Sequence, residues 1–224
     1  MISEEKKNRI IKSVKSVLAE IPSGVTLLAA AKTRTDEEVL AAIEAGITHI
    51  GHNYVQEAEN MHPGVGDKAR WRLIGHLQRN KAKKAVPIFD MIETIDSVRL
   101  ANKVDKECAK IEKVMPVLIE INIGREESKS GVLPEKAEDL VRNINHLEHL
   151  RIRGIMTMAP YLASPEDTRP YFRETREIFE HLKNAGVPNV EMKYLSMGMS
   201  HSWRVAIEEG ANIVRLGTSL FGPR

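Results

Sequence analysis

The sequence predicts a (β/α)8 barrel of the TIM type with an extra helix ahead of its first strand. Two observations predict it. Short apolar runs alternate with longer helical patterns in about eight units, and alternation of this kind implies parallel strands joined by helical crossovers. The 224 residues contain no linker, low-complexity tract or exact repeat, so the units are expected to form a single domain spanning 1–224, a size barrels commonly reach. A doubly wound open sheet uses the same alternation and is the other fold that fits.

The first helix is placed around Ile10, Ile11, Val14, Val17 and Leu18, whose spacing marks one buried face. Strands are expected at 25–31, 48–51, 71–74, 91–95, 116–122, 152–158, 191–195 and 213–216. Thr35 with Glu38 reads as a capping box opening the helix after the first strand. Ser164-Pro165 places a cap before a first-turn proline, and Phe172, Thr175, Phe179 and Leu182 then share a face. Gly46 and Gly186 suit helix ends that need a left-handed residue.

Composition narrows the function. A net charge of +2 is small for this length and argues against a field that recruits nucleic acid. Arg79-Asn80-Lys81-Ala82-Lys83-Lys84 is basic, with Arg79 and Lys83 expected on one helix face. It has no interleaved aromatics for base stacking, so a solvated face fits it better. Near a barrel mouth it would attract an anionic cofactor. The one cysteine, Cys108, excludes an intrachain disulfide and fits a reducing cytosol. The charged N-terminus carries no signal core, and no run is long enough to span a bilayer. A cytoplasmic protein with no membrane partner is expected.

Barrels place their chemistry at the carboxyl ends of the strands. Lys32 ends the first predicted strand, where a desolvated amine becomes nucleophilic, as a Schiff-base lysine requires. The bland reading is a lysine whose stem packs and whose head reaches water. Ser200 stands where a helix could begin, and Gly217-Thr218 follow the last strand. Together they resemble an oxyanion site of the kind found after barrel strands seven and eight. Singly, Ser200 would merely cap a helix and Gly217 merely turn the chain. Arg215, two residues before Gly217, should face the same way and needs an acceptor, either a buried carboxylate or a ligand heteroatom. An amine, a phosphate site and an arginine around one mouth suggest pyridoxal 5'-phosphate (PLP). His52 has no spaced partner for a metal.

At these residues the chain resembles the pyridoxal phosphate homeostasis protein family, whose barrel is similar to the N-terminal domain of alanine racemase. The matching segments include Ala30-Ala31-Lys32-Thr33, Asn53-Tyr54-Val55-Gln56-Glu57, Ile74 to Lys81, Glu126 to Gly131, Arg153 to Met158, Leu195 to Ser200 and Arg215 to Thr218. The resemblance implies that Lys32 carries PLP as an internal aldimine. It implies that Ser200, Gly217 and Thr218 bind the phosphate, that Arg215 faces the pyridine nitrogen and that Asn53 lines the pocket. For Lys129 it implies either a part in cofactor exchange or a solvated loop charge. His52 and Ser202 depart from the family's usual glutamate and aspartate, and the chain stops before its usual terminal tyrosine.

The expected role is holding and delivering PLP within vitamin B6 homeostasis, as a monomer, with PLP-dependent apo-enzymes as recipients and no catalytic residues of its own. Arginine does not readily give up a proton, so the ring nitrogen stays unprotonated and the electron sink is weak. Racemisation also needs a second base, which in alanine racemase comes from a C-terminal β domain that this chain is expected to lack; Tyr54 or Tyr161 could substitute. A weak racemase using Lys32 and a sugar-phosphate aldolase are the alternatives.

Overall fold

The computed structural model describes residues 2–223. The elements run α1 (Glu4–Glu20), β1 (Thr26–Ala30), α2 (Asp36–Glu44), β2 (His49–His52), α3 (Val55–Val65), β3 (Arg70–Leu73), α4 (Ala82–Ile88), β4 (Met91–Ile95), α5 (Val98–Ala109), β5 (Met115–Ile121), α6 (Ala137–Ile144), β6 (Leu150–Thr157), α7 (Arg169–Asn184), β7 (Val190–Met199), α8 (Trp203–Glu208), β8 (Ile213–Leu216) and α9 (Thr218–Phe221). The strands pair in parallel in sequence order, and β8 pairs back onto β1 with Leu28 opposite Arg215. The sheet is therefore closed, and the open doubly wound alternative is excluded. No helix among the described residues is long and apolar enough to cross a membrane.

Period-two alternation divides each strand between two environments. Leu27, Ala29, Ile50, Trp71, Ile92, Val117 and Val214 point outward and join one continuous core with helix residues such as Ile10, Val14, Phe172 and Phe179. Inside the barrel the apolar filling is smaller: Leu28, Ile74 and Ile213 form one cluster, Met91, Leu118 and Met156 another. The rest of the interior is polar, and this is where sequence reading saw least. Arg72 donates to Glu93 Oε1 at 3.1 Å, Ser196 Oγ donates to Glu93 Oε2 at 2.7 Å, and Arg215 donates to Ser196 Oγ at 2.6 Å. All four side chains are buried.

The helix ends follow their local chemistry. Thr35 and Glu38 form the reciprocal capping box at α2. Gly46 and Gly186 follow the caps of α2 and α7 with φ of 116° and 61°. Ser164 does not cap α7 directly; its hydroxyl accepts from the Glu166 N–H in a 3-10 turn, and α7 begins at Arg169. Cys108 is fully buried on α5, where desolvation pushes its thiol up to about 11, so it is a packed, unreactive thiol.

Candidate functional site

The carboxyl ends of β1, β2, β6, β7 and β8 enclose a cavity of about 770 Å³. Lys32, Asn53, Ser200, Arg215, Gly217 and Thr218 all line it. Residues as far apart in sequence as Lys32 and Thr218 are thus brought to one mouth.

Lys32 sits in a tight, strained turn. The Ala31 N–H donates to the Gly51 carbonyl at 2.8 Å, and the Arg34 N–H turns back to the Ala31 carbonyl at 3.0 Å. Between them Thr33 has φ of 64°, a region that a β-branched residue rarely occupies. Its hydroxyl donates to the Lys32 carbonyl at 2.6 Å. The Arg34 guanidinium then ties the turn to the Gly222 carbonyl at 2.6 Å and to Glu38 at 3.4 Å. Strain held by surrounding bonds is common where a reactive side chain is aimed. The Lys32 amine lies 5.2 Å from the centre of the Tyr54 ring.

Asn53 reaches the mouth because residue 75 is glycine. A Cβ there would meet the Asn53 carbonyl oxygen at 2.3 Å and its Cα at 2.6 Å, so any side chain would displace the loop after β2.

On the opposite side, Ser200 Oγ accepts from the Gly217 N–H at 3.2 Å and the Ser219 N–H at 3.4 Å. Two backbone donors at the start of α9 therefore converge on one hydroxyl oxygen. Ser200 was expected to begin a helix, but α8 starts only at Trp203, after a turn in which the Ser202 hydroxyl accepts from the Met199 N–H. The strand simply runs further than its apolar pattern suggests, because Met199 still pairs with Arg215. A Cβ at Gly217 would make only ordinary contacts, 3.4 Å to the Ala30 carbonyl and 3.6 Å to its Cβ. Packing of the chain does not by itself demand glycine there.

Arg215 is buried and fixed by two acceptors, Ser196 Oγ and the Thr157 carbonyl at 2.7 Å. Neither is a carboxylate; Glu93 stands one step behind, through Ser196. Burial lowers the guanidinium's pKa while the charges of Glu93 and Glu120 oppose the shift. Glu120 is pushed up to about 7, by desolvation first and by Asp96 second, against Arg215, and its Oε2 has no hydrogen-bond partner among the described residues.

His52 faces outward, away from the mouth. It is fully buried and stacks on Trp71 with ring centres 5.4 Å apart. Neither ring nitrogen has a hydrogen-bond partner among the described residues, and Glu57 at 3.9 Å is too distant to bond. Burial holds its pKa at about 4. The neutral ring contributes stability above pH 6.5 that is lost as the pH falls from 6.5 towards 4. His52→Phe, which keeps the stack, should outlast the native chain in denaturant below pH 6, with a gap approaching roughly 3 kcal/mol near pH 4. Chemical denaturation at several pH values reads it; a gap independent of pH would contradict it.

Two expected elements lie elsewhere. Lys129 pairs with Glu126 at 2.7 Å on the loop after β5 and does not line the cavity, which favours its reading as a solvated charge. Arg79 belongs to a 3-10 turn and Lys83 to α4, so the two do not share one helix face. No cluster of three or more metal-binding side chains occurs among the described residues. Tyr161, expected only as a possible substitute base, is 84% exposed on the loop after β6 and packs on His201 with ring centres 5.7 Å apart at the cavity rim, whereas sequence reading missed Arg34 and His201. Nothing in their local pattern marks them.

Residues 8–224 match the family described as "Alanine racemase, N-terminal domain". The chain is 39% identical to the pyridoxal phosphate homeostasis protein of Aquifex aeolicus, over 98% of this chain and 97% of that protein. The chain belongs to this family. Among solved structures in it, PipY of Synechococcus elongatus with PLP bound is 32% identical, covering 95% of this chain and all of PipY, with a TM-score of 0.87. Outside the homeostasis proteins, the alanine racemase of Clostridium difficile shares the fold at 16% identity and a TM-score of 0.81, with this chain spanning 57% of it.

Proposed function

We propose that this member of the family binds PLP at the barrel mouth, as a single cofactor-binding domain spanning 1–224, and takes part in intracellular PLP homeostasis. The carrying observation is convergence: an amine, two backbone donors around a serine hydroxyl, and a buried arginine face one cavity. That donor set fits the group. The Ser200 hydroxyl, which accepts from the Gly217 and Ser219 N–H groups and keeps its own O–H to donate, would hold the phosphate dianion with Gly217 and Thr218 beside it. The light contacts around Gly217 leave backbone open to close approach by an oxyanion. Arg215 would present N–H donors to the pyridine nitrogen and cannot readily return a proton from it. Asn53 would line the ring. When bound, PLP supplies an aldehyde that condenses with a primary amine, and Lys32 supplies the amine.

The supported role is custody, not turnover. An arginine at the ring nitrogen keeps it unprotonated, which suits retention and release better than carbanion chemistry. PLP-dependent apo-enzymes are the recipients this reading entails, in the cytoplasm, with the protein acting as a monomer.

The decisive experiment is incubation with PLP, reduction with borohydride and peptide mapping. The label is expected on Lys32 alone. Lys32→Ala should lose covalent capture and its imine absorbance yet retain PLP through the phosphate contacts, about 10- to 100-fold more weakly, a loss of roughly 1.4–2.8 kcal/mol. A label on another lysine, or no retention by the native chain, overturns the site. Steady, Lys32-dependent racemisation of an amino acid overturns the assignment as a carrier.

A further inference from the structure

We infer that Tyr54 is a positioning residue for the Lys32 amine, a resting place that competes with covalent capture of the aldehyde. This deepens the PLP reading and rests on it. Among the described residues the Lys32 amine has no hydrogen-bond acceptor and no carboxylate partner; its one polar contact is the face of the Tyr54 ring, 5.2 Å from amine to ring centre. The ring is 53% exposed, stands at the N-terminal boundary of α3, and its hydroxyl bonds to no other described residue. It borders a separate cleft of about 240 Å³ beside Asn53 and Gly75, and does not line the main cavity. Lys32 lines the main cavity, so the ring backs the amine from the β2 side.

An aromatic face attracts an ammonium through its quadrupole. The ammonium has no lone pair. Condensation requires it first to release a proton to solvent; Nζ then bonds to the aldehyde carbon, and the carbonyl oxygen departs as water. The contact with the Tyr54 face has to be given up as that sequence proceeds. It therefore slows capture and weakens net retention, which is a useful property in a protein that must also let its cargo go. The phenol oxygen plays no part, so phenylalanine should serve as well as tyrosine.

The test compares Tyr54→Leu and Tyr54→Phe in the full chain. PLP uptake is followed by imine absorbance, and pyridoxine 5'-phosphate, which has no aldehyde, is titrated by calorimetry. Tyr54→Leu should capture PLP faster and hold it about two- to five-fold tighter, equivalent to about 0.4–1 kcal/mol. Tyr54→Phe should match the native chain, and pyridoxine 5'-phosphate should bind all three equally. A merely structural tyrosine would give weaker binding of both ligands in the leucine variant, and that result overturns the inference. So does unchanged or slower PLP capture in Tyr54→Leu while pyridoxine 5'-phosphate binding is unaltered. Failure of the native chain to attach PLP at Lys32 removes the cofactor reading itself, and is seen before any variant is made.

Discussion

Glu93→Leu should destabilise the protein by about 3–5 kcal/mol, the range for removing one partner from a buried charge pair. Glu93 is fully buried, and its two carboxylate oxygens accept from Arg72 and Ser196, with Ser196 in turn accepting from Arg215. Leucine would leave the Arg72 guanidinium with only the Met91 sulfur at 3.2 Å and the Tyr194 ring beneath it. For a chain of this size each kcal/mol shifts the melting temperature by about 2–4 °C, so a fall on the order of 10 °C is expected. The double variant Arg72→Met with Glu93→Leu should recover much of the loss, because it removes the stranded charge along with its partner. If Glu93→Leu melts within a degree or two of the native chain, the interior network contributes little, and Arg215 is fixed chiefly by the Thr157 carbonyl.

Glu120→Gln should stabilise the protein in a pH-dependent manner. Its carboxyl is held at about 7 in the fold against an ordinary value of 4.5, chiefly by desolvation. Below pH 4.5 both folded and unfolded chains keep the proton and there is no penalty. From 4.5 to about 7 the unfolded chain ionises while the folded one does not, so stability is lost over that window and the loss then levels off. The amide cannot ionise. Relative to the native chain, Glu120→Gln should therefore gain up to roughly 2–3 kcal/mol between pH 4.5 and 8. Any fixed cost of burying the amide cancels when the two pH curves are compared by slope. Parallel curves would show that Glu120 does not titrate in the fold.

The barrel was legible because each strand carries its own apolar run and each crossover its own punctuation. All eight expected strands overlap observed ones, and the capping box at Thr35 and the glycines at 46 and 186 stand where local chemistry puts them. The convergence of the candidate residues on one cavity was legible for a related reason: strand ends of a closed barrel share one mouth, although Asn53 was singled out only through the family resemblance. What failed were features decided by distant partners. β7 extends to Met199 because β8 is there to pair with it, and so the helix expected at Ser200 begins later. The Glu93–Ser196 bond spans 103 positions, and no pattern within either strand announces it. Lys129 has a local motif but lies away from the cavity.

The ion-bonded interior has one more consequence. Arg72, Glu93, Ser196 and Arg215 form one chain of hydrogen bonds across the barrel interior, and its last member also borders the cavity. A change at Glu93 therefore reaches the cavity wall through Ser196 and Arg215, although Glu93 does not line the cavity itself.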